Sequence, residues 1–392
     1  MPHFKKHLLI AGIVLLLPAF FISLYSQDLQ QPIPEFEYDA IRSVLQDLQS
    51  TWSPPTSGSI VNIAAVGDLM MSSWIIDIVN ERGVDFPFDS TRRFIETADV
   101  AIANLEAPFT TSNERFEDKK YTFKVPPHFV KGIVNAGFDV VTMANNHIVD
   151  FGCKGLYDTI STLEKMGLYY CGAGSDRQQA CAPTIFEMNG VKLAFIGFSM
   201  TYPDDFWATS MRCGTCYPTE AQLYHSIAQA EKAADLTIVS FHWGAEKHTT
   251  PRAYQIKYGR LAIDYGADLV LGHHPHVLQG LELYQGKLIA YSLGNYVFAS
   301  YSNTAKTSIV LRARINQNGL ILAKVIPVNV HNSTINFQPV ELRGAEKHNV
   351  LDDLNAISRP LNNGTPLIDN EGYISPSKII YSMKKTETEI IH

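Results

Sequence analysis

Cysteine is scarce, with five in 392 residues, and only Cys213 and Cys216 stand close together, as a Cys-x-x-Cys with no second copy to complete a zinc ribbon. That scarcity excludes a small disulfide-built scaffold and a cysteine-built zinc module. The close pair is read as a local disulfide, with half a zinc site or no bond as alternatives, while spacing alone pairs none of Cys153, Cys171 and Cys181. Charge is sparse too. Asp, Glu, Lys and Arg make up 18% of the chain and the net charge is −7, so the basic excess that phosphate backbones demand is missing and nucleic acid is excluded as a partner. No internal repeat is visible. What the chain has is apolar residue, 46% of it, enough for a globular protein with a sizeable core, read as one large domain with appendages.

The N-terminus differs from the rest. Lys5 and Lys6 precede an apolar run from Leu8 to Tyr25, broken only by Pro18 and Ser23, and a basic flank before an apolar stretch is an export signal. Ser23 to Ser26 offer a poor cleavage site, and the run is near the lower length limit for crossing a bilayer. Residues 1–27 are therefore expected to be a retained signal-anchor that meets the cytoplasmic membrane through residues 8–25, with cleavage and secretion as the alternative. Lys5 and Lys6 stay cytoplasmic under the positive-inside rule, which gives a single-pass protein of the cell membrane with its main domain on the extracytoplasmic side. Residues 28–59, with a short helical stretch from Glu37 to Leu48 and the string Ser53-Pro54-Pro55-Thr56-Ser57-Gly58, read as a linker.

From Ile60 the pattern becomes short apolar runs separated by amphipathic stretches, which marks α/β architecture. The runs are Ile60 to Val66, Val100 to Ala103, Val140 to Met143, Leu193 to Phe198, Leu236 to Phe241, Leu269 to Leu271 and Leu288 to Ser292. Helices are expected over Ser72 to Asn80, Gly155 to Met166, Thr219 to Ala233 and Ala253 to Tyr265. Asn189-Gly190, Gln285-Gly286 and Asn318-Gly319 signal hairpins, so the sheets should mix parallel and antiparallel pairs. The main domain is placed at 60–340, and 341–392 is read as a polar, poorly ordered tail.

Six runs stop at polar residues in Gly- or Asn-rich turns. The strings are Ala65-Val66-Gly67-Asp68, Ala103-Asn104-Leu105-Glu106, Ala144-Asn145-Asn146-His147, Ser240-Phe241-His242-Trp243-Gly244, Gly272-His273-His274-Pro275-His276 and Leu293-Gly294-Asn295. Ligands of α/β sheets gather beyond the carboxyl ends of the strands, so these groups are expected to face one crevice. Oxygen donors Asp68, Glu106 and Asn146 with the imidazoles of His242, His274 and His276 suit a divalent metal such as Mn, Fe or Zn, as one or two ions. Each residue also has a bland reading: Asp68 a helix cap, Asn145 and Asn146 a left-handed turn, His242 a core histidine. Three histidines in four positions are harder to explain that way. Trp243 is assigned to packing, and Lys119, Lys120 and Lys124 to a solvated loop, with contact to an anionic chain as the alternative.

The strings GDLMM, NLEAP, ANNHIVDFG, HWGAE, GHHPHVLQG and YSLGNYVF, in this order over about residues 60 to 300, resemble the CapA family of bacterial capsule proteins, named for poly-γ-glutamate. That family in turn looks like a branch of the calcineurin-like metallophosphoesterases. The resemblance implies a four-layer α-β-β-α sandwich of mixed sheets. It further implies Asp68, Glu106, Asn146, His242, His274 and His276 as metal ligands, and His147 as the catalytic residue that orients phosphate or protonates the leaving group. Two departures stand out: Met70 replaces the histidine of the usual Asp-x-His, and Glu106 replaces a bridging aspartate. The implied function is a membrane-anchored accessory to synthesis or export of poly-γ-glutamate, beside a capsule synthetase complex. The alternatives are a metal-dependent phosphoesterase hydrolysing an envelope phosphate ester, and a metal-stabilised binding protein without turnover. The implied ligand is accordingly an anionic polymer or a phosphate ester.

Overall fold

The computed structural model describes residues 60–376. The expected signal-anchor, its membrane contact and the linker with its helical stretch lie outside the described residues. Among the described residues no helix is long and apolar enough to cross a membrane.

Strands β1 (Val61–Met70), β2 (Val100–Leu105), β3 (Val140–Thr142) and β4 (Tyr169–Cys171) pair in parallel in that order, with helices on the connections. β5 (Ala173–Gly174) stands outside that sheet. β6 (Thr184–Met188) and β7 (Val191–Ser199) are joined by the Asn189-Gly190 turn, both of whose residues have positive φ as a two-residue hairpin requires. β8 (Gly214–Thr215) pairs with β5. β9 (Leu236–His242), β10 (Leu269–His273), β11 (Leu281–Tyr284) and β12 (Lys287–Ala290) complete a six-stranded sheet of order β11-β12-β10-β9-β7-β6. The chain then returns to the first sheet through β13 (Asn295–Phe298), β14 (Thr307–Asn316) and β15 (Gly319–Asn329), followed by the short β16 (Val340–Glu341) and β17 (Tyr373–Ile374). That sheet has nine strands, and β14 and β15 lie antiparallel as Asn318-Gly319 predicts.

Successive strand residues point to opposite faces, and here both faces are buried. Val61, Ile63 and Ala65 of β1 meet Phe195, Ile238 and Leu271 of the second sheet in one core between the sheets. Ala64 and Val66 point the other way, into a core shared with Val79 and Leu156 of the outer helices Ile75–Arg82 and Gly152–Lys165. Ile196, Phe198 and Phe241 of the second sheet pack on Leu223 and Ala262 of helices Glu220–Glu231 and Ala253–Asp264. Three cores between four layers make the α-β-β-α sandwich. Trp243 packs as expected, fully buried and stacked on Phe241.

Two expectations are corrected. Cys213 and Cys216 are both oxidised, but to Cys153 and Cys181 respectively, with Cα–Cα distances of 5.8 and 5.0 Å, and Cys171 is a buried free thiol. The strand β8 lies between the two, and positions three apart on extended backbone are roughly 10 Å apart and face opposite ways, too far for a disulfide. The stretch after 341 is no loose tail as far as residue 376. Helix Gly344–Ser358 inserts Leu351 and Leu354 into the core between the sheets, and β17 pairs with β15. Its apolar stripe is only a few residues wide, and the surrounding polar residues hide it from a compositional reading.

Candidate metal centre

Glycine lets the site form. A Cβ on Gly67 would lie 1.8 Å from the carbonyl oxygen of Gly294, and one on Gly272 would lie 2.0 Å from that of Tyr291. Only residues without a side chain allow the 291–294 segment to run this close to β1 and β10, just before each strand delivers its polar residues. In register, Asp68 then lies opposite Asn104 on one side and Asn295 on the other, and His273 opposite His242.

Side chains from both sheets converge beyond these strand ends. Asp68 Oδ2 is 2.9 Å from His276 Nδ1, and Glu106 Oε1 lies 3.5 Å from His276 Nε2 and 3.7 Å from His242 Nε2. Asn146 Oδ1 is 2.9 Å from His242 Nε2. Two ligand groups result: Asp68, Glu106 and His276 form one, and Glu106, His242 and His274 the other, each with donor atoms within 4.8 Å of one another. Glu106 belongs to both. Every residue expected as a metal ligand is thus at this place. His274 and His276 have φ of 94° and 59°, so the backbone around Pro275 is held in the left-handed region, strain of the kind that collects at functional sites.

Burial sets the electrostatics. It opposes the charge of Asp68, but the imidazoles of His273 and His276 beside it prevail and hold its carboxyl well below the usual range. Burial, and after it the Asp68 charge, push Glu106 well above the range. Burial and the neighbouring His276 push His274 down to about 3, and burial and His274 hold His242 well below its ordinary value, so both are neutral imidazoles able to ligate a cation. For His276 burial works against the charge, yet the Glu106 and Asp68 carboxylates push it up to about 9. Glu106 Oε1 and His274 Nδ1 are buried without a hydrogen-bond partner, an arrangement that costs stability unless something else satisfies them. Buried N and O donors, two of them unpartnered, fit a divalent cation once the proton held by Glu106 and His276 has left.

Amides brace the centre. Asn104 Nδ2 donates to Asp68 Oδ1 at 2.8 Å and to Glu106 Oε2 at 3.1 Å, while Asn145 donates to Asn104 Oδ1 and accepts from the backbone of His147 and Ile148. Sequence reasoning passed over Asn104. The signal was present, since it stands on the strand two residues before Glu106, which follows the strand end directly, and alternate positions share a face.

His147 sits beside this cluster. Its Nδ1 is 2.7 Å from Asp150 Oδ2 and 2.9 Å from Lys119 Nζ, and Lys119 also donates to Asp150 and to the backbone carbonyl of Asn146. The solvated-loop reading is thus overturned for Lys119, whose ammonium turns inward, while Lys120 is exposed. Asp150 is fully buried, and its third side-chain hydrogen bond, from the Phe123 amide, ties the 119–124 loop to the site. Met70 offers no imidazole, and His273, 3.2 Å from Asp68, joins neither three-ligand group.

The family model for "Bacterial capsule synthesis protein PGA_cap" matches residues 62–300. This chain belongs to that family. It is 32% identical over 281 residues to "Capsule biosynthesis protein CapA" of Bacillus anthracis, covering 70% of this chain and 68% of that protein. It is 31% identical over 281 residues to "PGA biosynthesis protein CapA" of Bacillus subtilis (strain 168), covering 71% and 74%. Among solved structures it is similar to the calcineurin-like phosphoesterase YfkN of Bacillus subtilis, at TM-score 0.42 and 15% identity, over 76% of this chain and 98% of that one.

Proposed function

We propose that this chain is an accessory of capsular poly-γ-glutamate synthesis or export, and that its site, in which Glu106 belongs to both ligand groups, would hold two divalent ions and act on a phosphate ester. The first part is supported by family membership and by the names of the CapA relatives. The observation that carries the second is the sharing of Glu106 between two ligand groups. Asp68 and His276 would hold one ion, and Asn146, His242 and His274 the other. When bound, such ions polarise a phosphoryl oxygen and supply a water nucleophile at neutral pH.

The chain's own groups do the rest. Asn104 keeps one oxygen of Asp68 and one of Glu106 engaged, which leaves their other oxygens for ligation. Asp150 and Lys119 hold the ring of His147 from the Nδ1 side, and burial lowers its pKa, so at the cleft it lines it would meet a departing oxygen as an imidazole that has taken up a proton or that orients the phosphate. The reading as a binding protein without turnover draws on Met70 alone.

We place the domain on the extracytoplasmic side, attached through residues 8–25 and working beside a membrane-bound synthetase. Besides the N-terminal sequence, the two disulfides support this, because such bonds persist in oxidising compartments. The test is hydrolysis of simple phosphate esters by the Mn-loaded full chain. Turnover that is lost in His276→Ala and reduced about 100-fold or more in His147→Ala is the expected result. Turnover that survives His276→Ala would overturn the assignment.

A further inference from the structure

The metal centre is open on two sides. One cleft, of about 420 Å³, is lined by His276 and His147 with Lys119, Lys120 and Lys247 around them. A second, of about 660 Å³, is lined by His274, Arg252 and the rings of Tyr202, Tyr217, Tyr254 and Tyr258. Both clefts are bordered by Asn146 and Glu246, so they meet at the centre. His274 and His276, their rings 5.8 Å apart, face one cleft each. Neither histidine belongs to the other's ligand group.

The walls differ in chemistry. The first cleft is lined by Lys120 and Lys247, with Lys119, which is paired to Asp150, and with Glu246, opposite in charge. In the second, Tyr217 stacks on Trp207 at 4.0 Å and Tyr202 lies against the same indole at 5.8 Å, a row of rings on a segment pinned by both disulfides. Aromatic faces of this kind take up ring-bearing groups by stacking.

A phosphate monoester has one substituent and needs one cleft. Resting on the phosphoester reading above, we propose that this site takes a phosphodiester, with one substituent in the lysine cleft and a ring-bearing one in the tyrosine cleft. In its cleavage water's oxygen joins phosphorus with one hydrogen, one P–O ester bond breaks, and the other hydrogen ends on the departing oxygen.

The experiment compares bis(4-nitrophenyl) phosphate with 4-nitrophenyl phosphate on the Mn-loaded full chain, and diphenyl with phenyl phosphate for affinity by calorimetry. The diester is expected to be preferred about tenfold in kcat/KM. Tyr202→Ala, at a side chain 76% exposed, should cut the diester-to-monoester ratio about fivefold in both measurements, with the thermal unfolding midpoint checked beside it. A preference for the monoester, or a ratio that Tyr202→Ala leaves unchanged, overturns the proposal. A metal-loaded chain that cleaves neither ester defeats the hydrolytic reading instead, and the affinity ratio still decides between one substituent and two.

Discussion

At the scale of single residues, the centre is a set of charges that burial makes dependent on one another. Glu106 and His276 face each other at 3.5 Å, both pushed upward, so the pair retains a proton at neutral pH. A cation bound between them must displace it. Raising the pH removes this competitor, so metal affinity should climb from neutrality towards about 9, where His276 loses its proton, and level off above. Calorimetry at pH 7 in two buffers of different ionisation heat should record at least one proton released per chain; binding with no proton release would contradict the assignment. The bracing amide makes a second prediction. Asn104→Ala leaves the ligands in place but frees Asp68 and Glu106 to turn, and the cost should be about 10- to 100-fold in metal affinity. The donor types were legible in the sequence because each strand ends in a distinctive polar string. The inward turn of Lys119 was not, because a lysine in a charged loop looks the same whether it faces water or a buried Asp150.

Elements carry different information. Strands and hairpins were legible from apolar runs and from Asn-Gly turns, and observed boundaries fall within a few residues of those expected; helix Gly152–Lys165, for example, begins three residues before the expected start at Gly155. Long-range covalent pairing was not legible, because spacing suggested Cys213 to Cys216 while the extended strand between them sends each to a different partner. The disulfides close stretches of 60 and 35 residues, Cys153 to Cys213 and Cys181 to Cys216. Loss of either, as in Cys213→Ala or Cys216→Ala, should cost roughly 2–5 kcal/mol in denaturant unfolding, an effect that reducing agent reproduces in the native chain. The helix Gly344–Ser358 is a further case where sparse apolar residues decide. Leu354 is buried in the core between the sheets, and Leu354→Ala should cost about 2–5 kcal/mol by the same measurement, whereas a loose tail would show no change.

At the scale of the whole molecule, two sheets face each other so that the carboxyl ends of β1 and β2 meet those of β9 and β10. Residues more than 200 positions apart thereby share one centre, as Asp68 and His276 do at 2.9 Å. Mixed sheets could be argued from the alternation of crossovers and hairpins, and the four-layer stack entered through resemblance. Periodicity alone could not supply the stack, because strands buried on both faces read as continuous apolar runs and do not say what covers each face. Close approach of the 291–294 segment to both sheets is the hinge of the arrangement, and Gly67 and Gly272 are its visible trace. The central claim is that Glu106 joins two ion positions. Metal content of the purified full chain after Mn loading and gel filtration, measured beside Glu106→Gln, tests it most directly. Two ions per chain in the native protein, with both lost or greatly weakened in the variant, is the predicted result; two ions retained by Glu106→Gln, or none bound by the native chain, would contradict it.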